Sequence, residues 1–297
     1  MAAKKLLASV VAAVILIGLQ AGHPMPLAAA HEAAAVPTWL NRLNEYRGAG
    51  GLPAVEENGG WSAAATLHSL YVVGNGEVTH YERPEAPWYS AAGSAAGSAG
   101  NVFASSDPYA SDVSIIDSWM SSPLHALHLL RPSLRGVGYG TWRDANPPRG
   151  VGAAATLDVL HGAVLGARVA RPMPYPYPGA ELPLTSSKGL AMCGGGVAGP
   201  VSLFFHPENP TVTGFLVTVN GLAVPLCVVT SGNFWSPGED PTMWRQMLAA
   251  DGVVLLIPTQ PVPVGATVQV GLATAEFGVT WTSYSARGDG VVGIPRP

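Results

Sequence analysis

Apolar residues recur at helical spacing in two early stretches. Leu40, Leu43 and Tyr46 mark the first, Trp39–Arg47, and Ala65, Leu67, Leu70 and Tyr71 mark the second, Trp61–Val73. Ser111–Leu130 predicts a third helical stretch, broken at Pro123 because proline cannot donate the backbone hydrogen bond that a helix interior needs. Val137–Trp142 and Val151–Leu160 then read as two strands joined by the turn-rich Arg143–Gly150. Helices followed by antiparallel strands predict an α+β layered fold. Beyond residue 190 the pattern is almost all strand: Val201–Phe205, Val212–Val219, Leu222–Val229, Val253–Ile257, Thr267–Ala273 and Gly278–Tyr284, with a short helix at Thr242–Ala249. Asn220-Gly221 between two of these runs is a type I′ hairpin signal. This all-β part predicts a β-sandwich of immunoglobulin-like size.

Between the two patterns lies Arg171–Pro178, in which every second residue from Pro172 is proline. Each proline fixes its own φ and pushes its predecessor out of the helical region, so the segment reads as an extended spacer. The organisation expected is a first domain at 36–170, a Pro-rich linker at 171–190, a β-sandwich at 191–286 and a loose tail at 287–297. Ala91–Gly100, AAGSAAGSAG, reads as a flexible loop, without the preceding strand and following helical lysine that a phosphate cradle would need.

The amino end has its own pattern. Lys4 and Lys5 precede the uninterrupted apolar run Leu6–Leu19, followed by Gly22, Pro24 and the small residues Ala28, Ala29 and Ala30. That order predicts a secretory signal peptide over residues 1–30. The run has 14 residues, short of the roughly 20 that span a bilayer, so no membrane span is expected after cleavage. Removal of Lys4 and Lys5 leaves 13 basic against 19 acidic residues. With no basic strip anywhere, nucleic acid is not an expected partner. Export places Cys193 and Cys227 in an oxidising compartment, where two thiols in one domain pair.

Candidate chemistry centres on histidine. His125 sits in Trp119-Met120-Ser121-Ser122-Pro123-Leu124-His125, followed by Leu129-Leu130 and Gly136-Val137-Gly138-Tyr139-Gly140. These words resemble the bacterial branch of the CAP superfamily, the cysteine-rich secretory, antigen 5 and pathogenesis-related (SCP domain) group. Leu43-Asn44 with Arg47, Gly51-Leu52-Pro53, the helix with Ala64, Ala65, His68 and Ser69, the position of His80, Asn101, and the strand Thr156–Gly162 extend the resemblance over residues 38–162.

The resemblance implies a three-layer α-β-α sandwich with a groove lined by His80, Asn101 and His125. His80 and His125 would be the metal-facing pair, with His128, one turn further along the helix, as a third candidate. The family's acidic groove residues do not carry over, since its Gly-Glu-Asn word reads Ala99-Gly100-Asn101 here. Glu82 and Glu85 are the substitutes that a loop after His80 offers. Two imidazoles hold zinc only weakly, and hydrolysis without a carboxylate lacks its proton acceptor. The expected function is that of a secreted, extracellular binding module for a small apolar, lipid or glycan ligand, or for weakly held zinc. Its β-sandwich would attach it to a cell-envelope component or other partner. The alternative is a secreted hydrolase of peptide or cell-wall material.

Overall fold

A computed structural model describes residues 37–237 and 240–290. The expected signal peptide and residues 291–297 of the tail lie outside the described residues. Among the described residues no helix is long and apolar enough to cross a membrane. The fold is α+β.

The first half runs α1 (Thr38–Ala49), β1 (Glu56–Glu57), α2 (Gly59–Asn75), α3 (Ala91–Ser98), β2 (Gly100–Ser105), α4 (Asp112–Met120), α5 (Pro123–Leu129), β3 (Gly136–Arg143) and β4 (Ala153–Asp158). Its four strands form one sheet in the order β1-β3-β4-β2. β1 joins β3 in parallel, and the other pairings are antiparallel. Every residue of β4 is buried, because the strand is covered on both faces and its side chains alternate between them. Ala154 packs with Val72 and Val73 of α2, and Thr156 Oγ1 meets Ser69 Oγ of the same helix at 3.1 Å. Ala155 and Leu157 instead join the core that holds Trp39 and Leu43 of α1 and Ile115 and Trp119 of α4. On β3 the alternation brings α2 very close. A Cβ on Gly140 would stand 2.1 Å from Thr66 N, and one on Gly138 would stand 2.3 Å from Trp61 Cβ. Three layers, helices on each side of the sheet, follow from this period of two.

One expectation changes here. Ala91–Ser98 is a helix rather than a flexible loop. Ser90 caps it by accepting from Gly93 N at 2.9 Å, alanine is the best helix former, and Gly93 and Gly97, four apart, share the face laid on α2. The strand β2 that follows carries no alternation of apolar and polar residues that would announce it.

The second half contains β5 (Met173–Tyr175), β6 (Ala180–Leu182), β7 (Ser187–Lys188), β8 (Val197–Ala198), β9 (Ser202–Phe205), β10 (Val212–Val219), β11 (Leu222–Ala223), β12 (Leu226–Val229), α6 (Pro241–Asp251), β13 (Val253–Pro258), β14 (Thr267–Thr274) and β15 (Gly278–Ala286). One sheet has the order β11-β10-β14-β15-β6, another β12-β13-β9-β5, and β7 pairs with β8. Leu222–Val229 is therefore not one strand. Pro225 interrupts it, and its two pieces join different sheets. Asn220 and Gly221 both have positive φ, 51° and 81°, as the hairpin signal requires.

The Pro-rich stretch is likewise more than a spacer. β5 is an outer strand paired with β9, the place where a proline costs no ladder bond, and β6 pairs in parallel with β15. The described beginning of the tail is tied down too: Arg287 N donates to Leu182 O at 2.7 Å and Gly290 N to Pro183 O at 2.9 Å. Cys193, in the 3-10 turn Ala191–Cys193, is bonded to Cys227 of β12 with Cα atoms 5.5 Å apart. Buried apolar residues of both halves, from Leu43 and Trp119 to Leu203 and Leu255, form a single contiguous core.

Candidate functional site

The helix α5 owes its place to buried arginine chemistry beneath it. Arg47 is fully buried and donates to Leu129 O at 2.6 Å, a carbonyl in the last turn of α5, and to Leu134 O at 3.1 Å in the segment that follows. Burial, with Arg135 adding repulsion, pushes its pKa down to about 10. On the other side Arg131 forms a buried ion pair with Asp251 of α6, Nη2 to Oδ2 at 2.8 Å. The one-turn histidines His125 and His128 are thus carried by a helix clamped from two directions.

His125 Nδ1 lies 2.9 Å from Ser122 Oγ. His80, on the segment after α2, donates from Nδ1 to Gly97 O at 3.0 Å, so a backbone carbonyl of α3 sets its tautomer and leaves Nε2 with a lone pair. His125 is part-exposed and His80 exposed. Burial pushes His125 down to about 4, and the neighbouring Lys188 and His80 push in the same direction. Lys188 is supplied by β7 of the second half, whose backbone N donates to Ser121 O at 2.6 Å. Desolvation lowers the Lys188 ammonium pKa as well.

Asn101 is buried rather than turned to a ligand. Its Nδ2 donates to His125 O at 3.3 Å and its Oδ1 accepts from His128 Nδ1 at 3.1 Å, so its amide fastens β2 to α5. His128 is not a free third ligand either. Its Nε2 faces Met247 Sδ at 3.3 Å, and its ring stacks on Trp244 with centroids 5.8 Å apart. Glu82 does not replace the missing acids: it is buried, lies 3.0 Å from His68 Nδ1 and accepts from Ser90 N at 2.8 Å. Glu85 is exposed on the same loop. Among the described residues no three of His, Cys, Asp and Glu are grouped to hold a metal ion. The donor set at His80 and His125 does not fit a lasting zinc site, which needs three or four ligands.

The geometry has two fixed imidazoles, a buried asparagine tie and a split helix opened by Ser-Pro at Ser122-Pro123. Residues 40–150 match the family model for the cysteine-rich secretory protein family, CAP. The chain carries a CAP domain. No curated protein and no solved structure matches the chain. The sequence words named His80, Asn101 and His125, but they did not reveal Lys188, Trp244 and Met247. Those residues reach α5 from the second half, and no local pattern announces a contact across more than 60 residues.

Proposed function

We propose that the protein is a secreted, extracellular CAP-domain binding module whose groove, at His80 and His125, takes a small apolar, lipid or glycan ligand. The observation that carries this reading is that, among the described residues, neither imidazole has a carboxylate partner. Their anchored nitrogens meet a carbonyl and a hydroxyl, and the neighbours that lower His125 are Lys188 and His80, neither of them an acid. A hydrolytic proton relay needs an acceptor at this place, and the histidine–acid pairs of the CAP domain, His68 with Glu82 and His161 with Asp158, are committed elsewhere. Divalent metal would be held by two imidazoles alone, hence weakly.

Histidine Hε1 resonances give the test, with palmitate and zinc chloride as separate probes. Palmitate should move the His80 and His125 signals, and the His80→Ala, His125→Ala double variant should lose the response while keeping its fold. Two stationary resonances under both probes would remove the groove reading. Cleavage of a peptide or wall fragment that the same double variant abolishes would replace it by the hydrolase reading.

A further inference from the structure

The outer face of the five-stranded sheet carries a feature unrelated to the histidine groove. Register places Leu216, Gly271 and Trp281 in one cross-strand row, and Thr218, Gln269 and Ser283 in the next. The alternate residues Val217, Val270 and Leu272 are buried in the core, so these two rows face outward. Trp281 is 53% exposed, but it does not stand up from the sheet. A Cβ on Gly271 would stand 2.4 Å from Trp281 Cζ3 and 2.6 Å from Cη2. The six-membered ring therefore occupies the space over the neighbouring strand's glycine and lies along the sheet, one face covered and the other bare. Only glycine at 271 permits this.

Beside the ring is a cleft of about 350 Å³ walled by Pro178, Gln269, Trp281, Thr282 and Ser283. That size is at the lower end for small-ligand sites. Pro178 comes from the Pro-rich stretch, held here by Gly179 N donating to Ser283 O at 2.7 Å. No lining residue is charged. Gln269 Oε1 accepts from Thr218 Oγ1 at 3.3 Å, which leaves the carboxamide NH2 to donate outward. Ser283 Oγ has no hydrogen-bond partner among the described residues.

We propose that this cleft binds a neutral glycan, with a pyranose ring stacked on the bare face of Trp281 and its hydroxyls bonded to Gln269 and Ser283. A pyranose presents one flat face of C–H groups and an equatorial rim of hydroxyls. The cleft presents the complement: a flat indole with uncharged donors and acceptors at its edge. A nucleic acid or an acidic ligand would call for cationic residues, and the lining has none. A protein partner would need a face of about 800 Å², whereas this cleft is walled by only five residues.

Affinity electrophoresis of the full mature chain through gels containing soluble cellulose ether, mannan or galactan, with pull-down on insoluble chitin and cellulose, tests the proposal. At least one of these neutral polysaccharides should retard or retain the protein. Trp281→Ala should weaken that binding about tenfold or more, Trp281→Tyr should largely keep it, and Gln269→Ala should weaken it less. Thermal melts of the variants separate loss of the site from loss of the fold. The proposal is overturned if none of these polysaccharides is bound, or if Trp281→Ala binds unchanged. Binding only to the charged control dextran sulfate would overturn it as well. Concentration-dependent self-association that Trp281→Ala removes, without any glycan binding, would assign the face to a second copy of this chain instead.

Discussion

Burial of His128 among Asn101, Met247 and Trp244 holds its imidazole neutral, with Arg131, His125 and His80 the charges that add to the effect. Its pKa falls to about 3 from an unfolded value near 6.5. The folded state therefore binds fewer protons than the unfolded state between these values, and stability rises with pH across that window. Acidification from pH 7 should lower stability progressively below about pH 6.5, by on the order of 1 kcal/mol per pH unit, read as a falling melting temperature. His128→Gln should show a flatter dependence over pH 4–6.5 even if it starts lower. Melts that are equally steep for parent and variant would assign the acid sensitivity to other groups. His68, by contrast, lies against a buried carboxylate. Two helical histidines of the same domain have thus been given opposite surroundings, one beside a sulfur and an indole and the other beside Glu82.

Among the elements, α3 shows most clearly what a sequence does and does not disclose. AAGSAAGSAG has no apolar stripe, so periodicity cannot find the helix. Its logic lies in what it lacks: a Cβ on Gly97 would stand 2.3 Å from His68 Cε1, and one on Gly93 would stand 2.4 Å from Glu82 Oε1. Gly97→Ala should therefore destabilise by about 1–3 kcal/mol in urea titration despite alanine's better helix propensity. The exposed Ser98→Ala should stay within about 0.5 kcal/mol of the parent. Equal effects at the two positions would mean that the close packing on α2 is not what limits α3. Where the chain does show a periodic face, as in α1, α2 and β10, the sequence pattern found the element. The break at Pro123 was legible because proline acts through its own ring. The split at Pro225 was not, because assigning Leu222 and Leu226 to different sheets is settled by partners far along the chain. Of the site, the two histidine words were readable. The roles of Asn101, Glu82 and Lys188 were not, since each depends on which atoms are brought near by tertiary packing.

At the scale of the whole molecule, the two halves share charge as well as apolar surface. Arg131 and Asp251 are both almost wholly buried, and Arg131 Nη1 has no hydrogen-bond partner among the described residues. Removing one member of such a pair typically costs about 3–5 kcal/mol, because the other is left buried and uncompensated. Asp251→Asn should lower stability by that order, and calorimetry of the parent should show one unfolding transition rather than two. Two well-separated transitions, with Asp251→Asn affecting only the later one, would show that the halves are energetically independent. The pair also bears on how this CAP domain could be reused. A fragment cut after β4 would carry Arg131 away from its carboxylate and leave His128 facing water where Trp244 and Met247 now stand. The smallest portable piece of this protein therefore extends beyond α6 to β15, since β13, β14 and β15 are inner strands of the two sheets. Exchanging its CAP domain with that of another chain would mean matching one aspartate on the recipient as well as a surface.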